Sequence, residues 1–236
     1  MCVAVGGTDR ASTNPLIVRF DGTRWSVVRS PVADAQLSLV ACSSTTSCVA
    51  IGDRHDPNST PFAIRMTGHR WTRIAAPALP SDFFNNLNSI SCPSASDCVA
   101  VGREVTRRNR HGEITRTQAV AGSLLGTHWT VRRIPVSKQV TAGGHTPLGS
   151  ALDAVSCPAG DPAACVAIGS SATGGGRQPT GVSTMLNPNA GDQLPVPGGP
   201  SAISCPAPGV CLAAGAKSIV RYDSGPLPPP GSVRGS

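Results

Sequence analysis

Aromatic residues make up only 3% of this 236-residue chain. A core built from it must therefore be filled by Val, Ile, Leu and Ala. No apolar run approaches the roughly 18 residues that a membrane helix needs, and no segment carries a helical stripe, while 26 Gly and 22 Pro supply turns and break helices. Lysine is limited to Lys138 and Lys217, so arginine carries the formal charge of +7. Glutamate is limited to Glu104 and Glu113, and Tyr222 is the single tyrosine. Recognisable catalytic motifs are missing as well: there is no Gly-x-Ser-x-Gly elbow, no phosphate loop and no His-Glu-x-x-His helix. The glycine run Gly174 to Gly176 lies between polar residues and reads as a loop tip.

What the chain has is repetition. A pentapeptide of the CVAVG type returns with its cysteine at Cys2, Cys48, Cys98, Cys165 and Cys211, at intervals of 46, 50, 67 and 46 residues. One four-stranded propeller blade takes about 40 to 50 residues. Each unit opens with a short apolar strand ending in a cysteine, as in Leu37 to Cys42, Leu87 to Cys92, Ala151 to Cys157 and Ser201 to Cys205. The CVAVG strand follows, then a third strand such as Leu16 to Phe20 or Phe62 to Met66, and a Gly-x-x-Trp turn opens the fourth. Trp25 and Trp71 each lie 23 residues after their cysteine and Trp129 lies 31 after Cys98, so one loop has lengthened.

The expected fold is all-β, a β-propeller of about five four-stranded blades, incomplete at both ends. Its repeats span 1–225 (1–36 partial, 37–86, 87–150, 151–200 and 201–225 partial), and a Pro/Gly-rich tail spans 226–236. Val and Ile alternate to pack one blade on the next, the three Trp residues fill the spaces between blades, and the glycine closing CVAVG frees the backbone to leave the strand. The fourth repeat has no Trp, and its proline-broken Leu194-Pro-Val-Pro197 predicts a defective outer strand.

Eight of the nine cysteines fall into neighbouring pairs: Cys42–Cys48, Cys92–Cys98, Cys157–Cys165 and Cys205–Cys211. Facing residues of an antiparallel hairpin are close enough for disulfides. Metal ligation competes, but five or seven intervening residues do not make a zinc-knuckle spacing and no His recurs in register. Disulfides imply an oxidising compartment: secreted, periplasmic or cell-surface. Cys2 lacks the upstream partner of the other repeats. The first blade is thus read as starting in its second strand, with Met1 a mis-called start or the edge of a fragment and the signal peptide missing.

The unit L-x-x-x-S-C, P-S-x-x-x-C, V-A-V-G, then G-x-x-W and a Pro-containing exit resembles the cysteine-bearing β-propeller repeats of exported proteins from high-GC bacteria. The likeness covers nearly the whole chain. The turns at Asp21 to Trp25, Gly68 to Trp71 and Gly126 to Trp129 are also similar to the Asp-box turn of sialidase-like and photosystem-assembly-type propellers, although Asp21 stands four rather than five residues before its Trp and the later repeats have no Asp there. The excess of arginine over lysine fits a high-GC source.

Function is expected on the long connections, since loops vary on a rigid scaffold without disturbing the core. These are 53–61, 103–117 and 170–180 between second and third strands, and the returns 76–86 and 135–150. The third repeat's connection gathers Arg103, Arg107, Arg108, Arg110, His111 and Arg116 against Glu104 and Glu113. Such a surface attracts anionic glycans or wall polymers. Alternatively it is a solvated loop that keeps the protein soluble. Nucleic acid is disfavoured, because no stacking aromatic interleaves the arginines.

The expected activity is non-enzymatic: a secreted or cell-surface binding module for an anionic polymer or a protein partner, with no cofactor and no metal. One alternative is a glycoside hydrolase or lyase with acids such as Asp53, Asp56, Asp82 and Asp153 at the central channel. Another is a structural repeat segment of a longer exported protein. His55, His69, His111, His128 and His145 occupy no common repeat position, and His69 and His128 fall in turns.

Overall fold

The computed structural model describes residues 1–8, 14–54, 56, 60–78, 86–134, 147–173, 180–186, 193–196, 200–215 and 219–223. Asp82, His55, His145, the run Gly174 to Gly176 and the 226–236 tail lie outside these residues. The described chain is all-β, with one 3-10 turn at Pro162–Ala164. Its strands form five antiparallel meanders in chain order. Sheet 1 contains β1 (Cys2–Gly7), β2 (Pro15–Phe20) and β3 (Trp25–Val28); sheet 2 contains β4 (Ala35–Ser44), β5 (Ser47–Arg54), β6 (Pro61–Thr67) and β7 (Arg70–Ile74). Sheet 3 contains β8 (Asn86–Ser91), β9 (Asp97–Arg108), β10 (Ile114–Leu125) and β11 (His128–Arg133). Sheet 4 contains β12 (Pro147–Ser156), β13 (Val166–Thr173), β14 (Thr180–Met185) and β15 (Gln193–Val196), and sheet 5 contains β16 (Pro200–Ala207), β17 (Val210–Gly215) and β18 (Ile219–Asp223). A single parallel pair, Thr117 with Gly149, joins sheets 3 and 4.

Both sides of the pentapeptide strand are used for packing, because successive side chains point to opposite faces. Cys48 and Ala50 of sheet 2 turn toward sheet 1 and join Phe62, Ile64, Met66 and Trp71 in a cluster with Val3, Val5, Ile17 and Val28. Val49 and Ile51 turn the other way, against Cys98, Ala100, Leu124 and Trp129 of sheet 3. Val99 and Val101 of sheet 3 then meet Cys165 and Ala167 of sheet 4. The rule is constant. The Cys and Ala of sheets 2, 3 and 4 face the preceding sheet, and the two aliphatic residues between and after them in sheets 1, 2 and 3 face the following one.

All four expected disulfides form, with Cα–Cα separations of 3.9, 4.0, 4.1 and 4.1 Å, leaving Cys2 free and exposed. Cys42 and Cys48 are direct partners in the β4–β5 ladder. First strands also lie next to one another: β4 against β8, β8 against β12, and β12 against β16. Serine hydroxyls bridge them. Ser91 Oγ accepts from the Cys157 N–H at 3.0 Å, Ser156 Oγ accepts from the Cys205 N–H at 2.9 Å, and Ser89 Oγ accepts from the Val155 N–H at 3.2 Å. The serine preceding a cysteine thus receives a bond from the next sheet's cysteine.

Three expectations change. The glycine closing CVAVG stays inside the strand. Gly52 and Gly169 pair with Leu37 and Leu152, where the first strand carries a bulge, and a Cβ there would lie 1.9 Å from the Gln36 carbonyl oxygen and 2.0 Å from that of Ala151. Only glycine lets the bulged backbone approach so closely. The fourth repeat has its outer strand after all: β15 pairs with β14 through Pro195, since an edge strand tolerates a missing N–H. Trp71 is 6% exposed, as expected for an indole between sheets, but Trp25 is 56% exposed, with no sheet over its side of sheet 1 among the described residues.

Candidate anion-binding hairpin

The basic segment of the third repeat forms an extension of the β9–β10 hairpin, where a loop from 103 to 117 was expected. Pairing runs from Leu125↔Asp97 out to Ile114↔Arg108, with bulges on either side of Arg116. In sheet 2 the corresponding ladder stops at Asp53↔Pro61. Five residues, Asn109 to Glu113, make the tip, and Asn109 organises it. Its Oδ1 accepts from the backbone N–H of His111 and of Glu113, both at 3.0 Å, while its Nδ2 donates to Glu113 Oε2 at 2.6 Å. Arg108 Nη1 donates to the Gly112 carbonyl at 2.6 Å, and Arg110 Nε donates to His111 Nε2 at 3.1 Å. Gly112 takes a φ of 81°, which a left-handed turn position requires.

This register places Arg107 directly opposite Arg116, both exposed. Like charges facing across a ladder destabilise it, and among the described residues no carboxylate lies within ion-pair distance of either. Arg107, Arg110, His111 and Arg116 are exposed along one short projection, whereas Arg108 is half-buried and committed to the tip. Arg103 belongs elsewhere. Half-buried at the base of the hairpin, it faces Asp153 on β12 electrostatically.

Beneath the hairpin lies a pair that the sequence did not reveal. Glu104 is fully buried, and Arg133 at the end of β11 holds it in two parallel bonds, Nε to Oε2 at 2.8 Å and Nη2 to Oε1 at 2.9 Å. The carboxylate's hydrogen bonds and charge raise the Arg133 pKa. A bidentate carboxylate of this kind is both strong and directional. It ties β9 to β11 across β10 and fixes the root of the extension. Glu104 therefore contributes no acid to the surface, contrary to its expected place in a mobile loop, and Glu113 is taken up by Asn109.

The remaining acids are dispersed. Burial raises the Asp53 pKa on β5; burial also raises that of Asp153, partly offset by Arg103. Asp56 accepts from the Thr60 N–H at 2.9 Å. Asp21 caps its own turn by accepting from the Thr23 hydroxyl at 2.7 Å, the Thr23 N–H at 2.8 Å and the Arg24 N–H at 3.0 Å. Those bonds hold its carboxyl down to about 2. His69 and His128 sit exposed in turns, His69 within 2.9 Å of Arg19 Nη1. Among the described residues no group of three or more His, Cys, Asp or Glu could hold a metal ion, and no helix is long and apolar enough to cross a membrane.

No protein-family model matches the chain, and a search of curated proteins finds no match either.

Proposed function

We propose that the chain is a non-enzymatic, secreted or cell-surface β-propeller module that binds an anionic polymer on the β9–β10 hairpin. Face-to-face stacking of successive three- and four-stranded meanders, with first strands adjacent, supports the propeller arrangement. Four disulfides support an oxidising destination. The observation that carries the ligand class is the opposition of Arg107 and Arg116 without a neutralising carboxylate. An anion seated between two guanidinium groups relieves their repulsion and accepts forked hydrogen bonds from both. Repeating phosphate or carboxylate groups along a wall polymer or acidic glycan would extend that contact to Arg110 and His111.

The test uses retention on immobilised wall teichoic acid and on an uncharged glucan. Arg107→Ala combined with Arg116→Ala is expected to weaken teichoic acid binding about tenfold, and rising salt should weaken the native protein in parallel. Retention that is equal on both matrices, or unchanged in the double variant, removes the proposal.

A hydrolase reading has one supporting feature, the raised pKa of Asp53 and Asp153, since a general acid needs a carboxyl that stays protonated. Asp53 and Asp153 belong to sheets 2 and 4, which are not consecutive, and Arg103 faces the second of them. Glycan cleavage abolished by Asp153→Asn would favour that reading over binding.

A further inference from the structure

We infer that the β9–β10 hairpin is an acid-gated anion site: neutral His111 holds the Arg110 guanidinium aside, and protonated His111 releases it toward the ligand. The inference rests on the anion-binding reading above. His111 Nε2 accepts a hydrogen bond from Arg110 Nε at 3.1 Å. A ring nitrogen that accepts carries no proton, so the imidazole in this arrangement is neutral, with its proton on Nδ1. Protonation makes Nε2 a donor. Two donors cannot keep the contact, so the guanidinium must turn away, and a new positive charge appears next to it. Imidazole is the side chain that ordinarily changes charge between about pH 5 and pH 8.

The backbone beneath these residues is closed independently of that contact. The Asn109 N–H donates to the Glu113 carbonyl at 2.9 Å, the Gly112 N–H donates to the Asn109 carbonyl at 3.0 Å, and Asn109 Oδ1 holds the His111 and Glu113 N–H groups. The change is therefore confined to side chains. Around the tip, Arg107 and Arg116 oppose each other, Arg108 is committed to the Gly112 carbonyl, and Glu113 is bound by Asn109 Nδ2. The neighbouring strands supply no counter-charge. Among the described residues β8 contains no charged side chain, and β12 contains only Asp153, which faces Arg103 at the base. On β11, Arg133 is paired with Glu104 and Arg132 donates to the Leu186 carbonyl, while His128 sits in the turn at the opposite end of β10. Falling pH thus adds the His111 charge and frees Arg110 on the projection that already presents Arg107 and Arg116. A bound anion gains both.

Binding to poly(glycerol phosphate) tests this, because its diester phosphates keep their charge across the whole range and any response to pH belongs to the protein. Affinity of the native chain at low salt is expected to rise about fivefold from about pH 7.5 to about pH 5.5. His111→Ala should abolish the rise. It should also bind more tightly than the native chain at about pH 7.5, since Arg110 is then free at every pH, a gain that loss of a simple cationic contact would not produce. Nitrogen NMR of the imidazole at that pH should show Nε2 as the unprotonated ring nitrogen, and the Arg110 Nε–H should exchange with solvent faster once His111 is charged.

Equal binding by the native chain at both pH values overturns the gate and leaves the anion-binding reading standing. A rise that persists in His111→Ala also overturns it, since the response then belongs to other groups, and so does a proton on Nε2 at about pH 7.5. Absence of binding at either pH removes the anion-binding reading and the gate together.

Discussion

Sheets 1 and 2 contain nearly the same residues at equivalent positions but hold them in different surroundings. Among the described residues sheet 2 has four strands and a neighbour on each face, whereas sheet 1 has three strands and packs on sheet 2. The contrast separates what a side chain is from what its neighbours make of it. One Trp is core and its twin is surface. One glycine is indispensable, while its twin, Gly6, has nothing within 4 Å of an added Cβ.

Substitutions in matched pairs would sharpen that contrast. Trp71→Ala is expected to destabilise the protein by about 3 to 5 kcal/mol, as for other buried indoles, and Trp25→Ala by about 1 kcal/mol or less, measured by urea unfolding. Equal losses would mean that Trp25 is covered in solution. Gly52→Ala should cost about 3 kcal/mol, because backbone atoms of β4 must move to clear the new methyl, and Gly6→Ala should be close to neutral. Replacing Cys42 and Cys48 together by Ser should cost about 2 kcal/mol in the chain-entropy account of a short loop. Cys2→Ser should leave the unfolding midpoint of the dilute protein unchanged.

The smallest effect concerns the turns that open the last strands. Asp21 caps its turn in sheet 1, whereas Gly68 and His69 make the corresponding turn in sheet 2 without an acid. A carboxyl lowered to about 2 stabilises the fold at pH values above its ordinary 3.8, and that contribution disappears as pH falls toward 2. Asp21→Asn should remove this acid-side component from stability profiles. Asp53 and Asp153 have the opposite sign: their raised values favour the fold below the ordinary carboxyl range, and that contribution is lost as pH rises through the raised values. Carboxyl titrations followed by NMR would separate the three.

The all-β character and the cysteine pairs could be read from the sequence because each depends on local period. Burial could not, because it depends on which sheet stands opposite, and Trp25 and Trp71 look identical in a single unit. The bulges left a faint trace. Leu37 and Leu39 would share a face in a regular strand, yet one packs toward sheet 1 and the other toward sheet 3. Glu104 and Arg133 gave no signal, since they are 29 residues apart and meet only because β9 and β11 both pair with β10. The arginine-rich composition of the hairpin was legible, but its strand pairing was not, because Arg and Thr at β positions read equally well as loop.

The recurring bulge has an evolutionary consequence. Its extra residue, Ser38, Asn88, Asp153 or Ser201 in successive repeats, is skipped in the Cα register of the ladder. Each of these positions can therefore change identity without shifting the register around it. Asn88 already uses that licence to reach the Leu152 carbonyl of the neighbouring first strand at 2.9 Å, and related chains acquiring new specificity along the row of first strands would be expected to vary here first.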